Sequence, residues 1–242
     1  MEEPSRKHLP TAWFLLYALG MRILTIDGAL ARCSAALWQD GALLAEAVVD
    51  AERGHPSTLP PLVERVMAET GAKAPELDAV AVVVGPGGFT GLRAALSLAE
   101  GLALAAGIPA IGVTTGEAMA ASLPARDREA WMVLDARRGR VLLERIPLGT
   151  LAAAEAPLMT TPEALPMPEG PVLLLGDAAP LAQPALAAKG GETAIAGIAL
   201  ASTAGIATVA AARLRGEIAP RGIAPLYGEP PSIRGPGPKA PA

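Results

Sequence analysis

The stretch Ala79-Val-Ala-Val-Val-Val84 runs without a break into Gly85-Pro-Gly-Gly-Phe-Thr-Gly91, and a nearly uncharged segment, Leu92 to Ala106, follows. A continuous β-branched run of this kind is the pattern of a central strand covered on both faces, as in an α/β sheet. The glycines then turn the chain, and a helix is predicted from Thr90 to Ala106, closed by Gly107. Strand, glycine-rich turn and helix together aim backbone N–H groups at an anion in front of the helix. Two readings are open at this loop. In one, Gly85, Gly87, Gly88 and Thr90 cradle a phosphate or nucleotide. In the other, the glycines serve a tight turn and Thr90 caps the helix. The loop has neither the Lys-Ser/Thr ending of a phosphate-binding P-loop nor the Gly-x-Gly-x-x-Gly spacing.

Working outward, Arg22-Ile-Leu-Thr-Ile-Asp27 reads as a buried first strand. Cys33 to Gln39 alternates and ends at Asp40-Gly41, a hairpin signal, and Leu43 to Asp50 returns. A helix is predicted from Ser57 to Thr70, with Leu59, Leu62, Val63, Val66 and Met67 on one face. Pro60 and Pro61 fit it only within the first turn. Downstream, Ala110 to Thr114, Trp131 to Asp135, Arg140 to Ile146 and Pro171 to Leu175 read as strands, and Thr203 to Arg215 as an Ala-rich helix. Thr150 to Pro171 is rich in Ala and Pro and carries no clear element. The order predicts an α/β protein with a first lobe over 21–116 and a second over 117–231. The Pro/Gly-rich tail, 232–242, is expected to be disordered.

The chain has 242 residues and a formal charge of -4; half of it is apolar but only 3% is aromatic, so the core must be built from Ala, Leu, Val and Ile. An acidic balance excludes a surface that coats nucleic acid. The single cysteine, Cys33, forms no internal disulfide, fits a reducing compartment and reads as a small buried hydrophobe. Arg6-Lys-His8 before an apolar stretch ending at Gly20 has the look of a signal peptide, too short to span a bilayer. Met21 opens a strand at once, so residues 1–20 read better as a non-native extension or a start assigned too early.

Few residues can carry chemistry. Asp27, at the end of the first strand, could hold a nucleotide-bound magnesium through water, or simply form a turn with Gly28. His55 stands alone, with no His-x-x-x-His or Cys cluster, which excludes a zinc or metalloprotease site. No Gly-x-Ser-x-Gly elbow is present. Arg137, Arg138 and Arg140 form a basic cluster that could meet phosphate or RNA, or be a solvated hairpin edge. Between Leu92 and Ala106 the strongly polar side chains are Arg93, Ser97 and Glu100, on one narrow stripe. A helix so poor in polar surface is expected to be covered on more than one side, by the second lobe or by another protein. Ala95, Ala99, Gly101 and Ala103 would permit close helix–helix approach.

Taken in order, Ile23-Leu-Thr-Ile-Asp27, Cys33-Ser-Ala-Ala-Leu37, His55, Gly85-Pro-Gly-Gly-Phe-Thr-Gly-Leu-Arg93, Asp135-Ala-Arg137, Gly176-Asp177 and Pro225-Leu-Tyr227 resemble the landmarks of the TsaB (YeaZ) family. The resemblance spans about Met21 to Tyr227 and is thin between Leu148 and Pro171. It implies a two-lobed actin/Hsp70/sugar-kinase-like (ribonuclease H-like) fold with mixed sheets. It also implies a non-catalytic accessory subunit that binds and activates a paralogue, TsaD, which transfers a threonylcarbamoyl group to the tRNA adenosine next to the anticodon. The TsaE ATPase joins through the complex, and tRNA is met indirectly. ATP and metal belong to partner subunits, so this chain is expected to bind no cofactor tightly and to hold no catalytic residue or metal. The location implied is cytoplasmic, away from membranes. The partner surface implied is the pair of helices, through Leu59, Leu62, Val63, Val66, Arg93, Ala95, Leu96, Ala99, Glu100 and Ala103; without a partner the same helices would form a homodimer. Ala95→Arg or Ala99→Arg is then expected to abolish partner binding and leave the lobe folded. Two departures stand out: Gly28-Ala29 replace the family's hydroxyl residues after Asp27, and Arg140-Val-Leu142 replace its Glu-Val-Tyr. The other reading kept open is an ATP-dependent phosphotransferase or ATPase of the same superfamily, using Asp27 and the glycine-rich loop.

Overall fold

The computed structural model describes residues 20–50 and 55–228; the expectations for residues 1–19 and for the tail lie outside them. Among the described residues, ten strands form two five-stranded sheets. The first contains β1 (Arg22–Asp27), β2 (Arg32–Gln39), β3 (Ala42–Asp50), β4 (Ala79–Gly85) and β5 (Ala110–Thr114), in the order β3-β2-β1-β4-β5. The meander β1–β3 is antiparallel; β4 and β5 join parallel to β1, connected by helices α1 (His55–Thr70) and α2 (Phe89–Ala106). Asp40 and Gly41 both have positive φ, as an Asp-Gly hairpin demands.

Short α3 (Thr115–Ala121) leads to the second sheet. That sheet holds β6 (Glu129–Arg137), β7 (Arg140–Ile146), β8 (Leu158–Thr160), β9 (Val172–Leu175) and β10 (Thr193–Ile195), in the order β10-β9-β6-β7-β8. Helix α4 (Ala179–Ala187) covers its outer face, and α5 (Thr203–Leu214) closes the element order. The stretch without a clear reading thus supplies edge strand β8 and a single 3-10 turn, Pro162–Ala164. Pro60 and Pro61 lie in the second turn of α1 rather than the first, both on its exposed side.

Strand alternation sorts the core into three layers. Leu24, Ile26, Val80, Val82 and Val84 point out of the first sheet toward α1 and α2. Ile23, Ala79, Ala81 and Val83 point inward, joining Met132, Leu134 and Leu175 of the second sheet around α3 and α5. Trp131, Val133 and Leu174 face α4. The continuous apolar run of β4 is therefore explained: both its faces are buried, one under each helical layer. Its inward alanines leave room for the Ala-rich α5, which comes from the second half of the chain but packs on β1, β4 and β5 of the first sheet.

Candidate functional site

The glycine-rich loop sits between the β1–β2 turn and α3. Asp27 Oδ1 accepts the Ala29 N–H at 2.8 Å, closing a turn of its own. Gly88 N–H donates to the Ala29 carbonyl at 2.6 Å, and a Cβ on Gly87 would collide with that carbonyl. On the other side, the Thr115 hydroxyl donates to the Pro86 carbonyl at 2.6 Å. Gly85 has φ +106, and a Cβ there would press on the Leu226 carbonyl. Gly85 and Gly87 thus let backbone meet backbone from two directions while the Gly88 N–H is taken by Ala29, so packing accounts for the three glycines that the anion reading had singled out. Asp27 is correspondingly a turn residue, 5% exposed. Thr90 does not cap α2: Gly88 is the N-cap, no side chain bonds there, and Thr90 stands exposed in the first turn.

The segment that follows α5 returns to this loop as a strap. Gly112 N–H donates to the Arg221 carbonyl at 3.0 Å and Leu226 N–H to the Val84 carbonyl at 2.7 Å, which ties the strap to the middle of β5 and the end of β4. Tyr227 then lands beside α2. Its hydroxyl accepts from Arg93 Nε at 3.0 Å, its ring lies 5.4 Å from that of Phe89, and the Arg93 guanidinium stacks on Phe89 at 3.8 Å. Residues 134 positions apart, from two separate sequence landmarks, thereby form one exposed cluster.

The helix pair requires a correction. Leu59, Leu62, Val63, Val66, Ala95, Leu96, Ala99 and Ala103 are all at most 7% exposed and form the first lobe's own outer core. The face that a helix makes most apolar is the face it buries against its sheet, so these positions are spent inside the lobe. Of the ten interface positions, only Arg93 and Glu100 are exposed. The exposed positions of the pair include Pro60, Pro61, Glu64, Arg65, Ala68 and Glu69 of α1 with Arg93, Ser97, Glu100, Gly101 and Leu104 of α2. Leu104 is 82% exposed. Helix α2 is long and apolar enough to cross a bilayer by length and composition, yet its inner face packs on β4 and α1.

A buried polar cluster that the sequence reading did not single out joins the lobes. Thr114 and Glu117 make a reciprocal capping box at the start of α3, with the Thr114 hydroxyl accepting Glu117 N–H at 3.1 Å and Glu117 Oε2 accepting Thr114 N–H at 2.8 Å. The other Glu117 oxygen binds Arg213 Nη2 of α5 at 2.8 Å, with both side chains nearly inaccessible. Glu144, on the inward face of β7, accepts Gly116 N–H at 2.9 Å. Burial pushes its carboxyl up to about 7, helped by Glu117 and opposed by the Thr114 and Gly116 hydrogen bonds and by Arg221. The spacing Thr114-x-x-Glu117 signals the box in sequence; nothing local marks Glu144.

Other sequence candidates are scattered. Cys33 is fully buried and its thiol is pushed up to about 11, by burial and by Asp27, so it packs as a hydrophobe. His55 opens α1, and its side chain lies outside the described residues. Arg137 and Arg138 sit at the exposed tip of the β6–β7 hairpin, with positive φ, Arg137 N–H donating to Asp135 Oδ1 at 2.7 Å. Asp177 accepts Asp135 N–H at 2.9 Å, which brings those two landmarks together in space. Among the described residues no group of three or more His, Cys, Asp or Glu could hold a metal.

A family model described as TsaD, tRNA N6-adenosine threonylcarbamoyltransferase, matches residues 49–215, well over half of the chain. The Escherichia coli tRNA threonylcarbamoyladenosine biosynthesis protein TsaB is 38% identical over 123 residues, 50% of this chain and 53% of that protein. The chain belongs to this family, in its TsaB (YeaZ) branch. The Bacillus subtilis TsaB protein is 31% identical over 121 residues, again 50% of this chain and 53% of the relative. The chain spans about half the length of these curated TsaB relatives. A solved Pseudomonas aeruginosa structure, titled as an uncharacterized protein with similarity to peptidase YeaZ, superposes with a TM-score of 0.72 at 23% identity, over 86% of this chain and 100% of that one. That likeness supports the two-lobed α/β fold.

Proposed function

We propose that this chain is a non-catalytic accessory subunit that binds and activates a TsaD paralogue for threonylcarbamoyl transfer to the tRNA adenosine beside the anticodon. The observation that carries the reading is the outer face of the α1–α2 pair. It presents Leu104 at 82% exposure one turn from Gly101 on α2, with Ala68 exposed on α1, and the second lobe meets α2 through the strap at its first turn. Small residues flanking an exposed leucine let a second pair of helices approach closely. The same face would bring two copies of this chain together when the paralogue is absent.

The loop geometry supports assigning ATP and metal to the partner subunits. Gly88 N–H and Asp27 Oδ1 are committed to Ala29, and Gly28-Ala29 offer no hydroxyl. TsaE joins through the complex, tRNA is met indirectly, and the chain works in the cytoplasm. Co-expression of this chain with the TsaD-family protein of the same source, followed by size-exclusion chromatography, tests the reading. A stable mixed complex is expected. Two separate peaks, with the isolated chain binding magnesium–ATP tightly, would replace it with the ATP-dependent phosphotransferase or ATPase reading.

A further inference from the structure

At the end of α2 nearest the strap, one guanidinium is held ready on the surface. Arg93 is exposed, yet both its stem and its plane are fixed: Nε donates to the Tyr227 hydroxyl and the plane stacks on Phe89, itself 47% exposed. Among the described residues, neither Nη group has a hydrogen-bond or ion-pair partner, so an unused edge of the fork faces outward. A long side chain normally loses much freedom when it is docked; here that loss has already occurred on folding. Arg93 also lies on the same stripe of α2 as Ser97 and Leu104, so the cluster is continuous with the exposed helix face.

Resting on the accessory-subunit reading, we propose that the Phe89–Arg93–Tyr227 cluster is an anchor point for a carboxylate side chain of the protein that covers the α1–α2 face, with Tyr227 as the positioning residue. A guanidinium fork matches a carboxylate in two parallel hydrogen bonds, and arginine with aromatics is the composition of interface hot spots. A single cation between two rings, on a chain of net charge -4, is poorly suited to a polyanion, which needs several cations to release counterions. The strap makes the anchor depend on two segments far apart in the chain. Tyr227 reaches Arg93 only because Leu226 is bonded to the end of β4.

The test is calorimetric titration of the chain with the TsaD-family protein of the same source, for wild type, R93A, R93K and Y227F, with melting temperatures measured alongside. R93A is expected to weaken binding roughly thirtyfold or more, as for a hot-spot residue. R93K is expected to stay weak, because an ammonium is a point charge without the fork. Y227F is expected to weaken binding severalfold with an unchanged melting temperature, which a merely structural hydroxyl would not do. Wild-type binding with R93A within twofold of it would overturn this proposal and leave the accessory-subunit reading standing. No binding by the wild type would overturn both. Loss of tRNA binding by R93A with protein binding intact would overturn it in favour of an RNA contact.

Discussion

Burying a carboxyl where Glu144 sits links the stability of the fold to pH. Its folded pKa is about 7 against an ordinary 4.5, chiefly from burial. Below the ordinary value both folded and unfolded chains hold the proton, and nothing changes. As pH rises from there to about 7, the unfolded chain gives up a proton that the folded chain keeps, so stability falls. Above 7 the full loss stands, on the order of 3 kcal/mol. Glu144→Gln keeps an acceptor for Gly116 N–H without the charge. Calorimetric melting is expected to show the variant more stable than wild type at pH 8 and the two converging near pH 4.5; a constant gap across that range would contradict the assignment. A second residue-scale outcome reverses the expectation from sequence. Ala99 is fully buried on the inner face of α2, in the core with α1 and the first sheet, so Ala99→Arg buries an unpaired charge inside the lobe. A loss of several kcal/mol is expected, visible as aggregation or a depressed melt before any binding is measured. At this scale the sequence was partly readable. Cys33 as a buried hydrophobe follows from side-chain chemistry; for Asp27 the sequence left a magnesium-holding reading and a turn reading open, and only the bond from Ala29 N–H shows the turn. Glu144 was not readable, because Arg140 to Ile146 shows only a strand, and which of its faces turns inward depends on α3 packing from elsewhere.

Helices α1 and α2 show why a missing polar face tells that something is covered but not what covers it. Leu59, Leu62, Val63 and Val66 form the strongest apolar row and are buried by the lobe itself. The exposed positions of the pair lie between these and mix charged, small and apolar residues, Glu64, Gly101 and Leu104 among them, so hydrophobic periodicity passes over them. Gly101 makes the point testable. A side chain there would meet nothing within 4 Å, and the position is mid-helix, so Gly101→Arg is expected to leave the melt unchanged or raise it slightly. The same variant is expected to abolish co-elution with the TsaD-family protein. Co-elution at normal yield would place the interface elsewhere. The strap was legible only as a motif, Pro225-Leu-Tyr227, since its partner residues lie more than a hundred positions earlier.

For the molecule as a whole, the order of meander, helix, strand, helix and strand determined the first lobe almost residue for residue, because each of its elements has a clear period and a clear stop. The second lobe was read less completely. Helix α4 carries Pro184 inside it, β8 and β10 have three residues each, and their places are fixed by pairing rather than by local pattern. The whole-molecule picture is of two sheets clamping α3 and α5 between them, with the glycine-rich loop closed by Ala29, Thr115 and the strap. A loop so closed is expected to bind magnesium–ATP no more tightly than about millimolar, the weak end of the affinity scale, when the isolated chain is titrated calorimetrically. Under the proposed accessory role, this chain acts through its outer helix face rather than by chemistry of its own. That role is tested most directly by reconstituting threonylcarbamoyl transfer to tRNA with the TsaD-family protein, its ATPase and a supply of threonylcarbamoyl-adenylate, adding either the wild-type chain or Gly101→Arg. Modified adenosine is expected with the wild type and little or none with the variant. Equal modification with both, or with no chain added, would contradict that role.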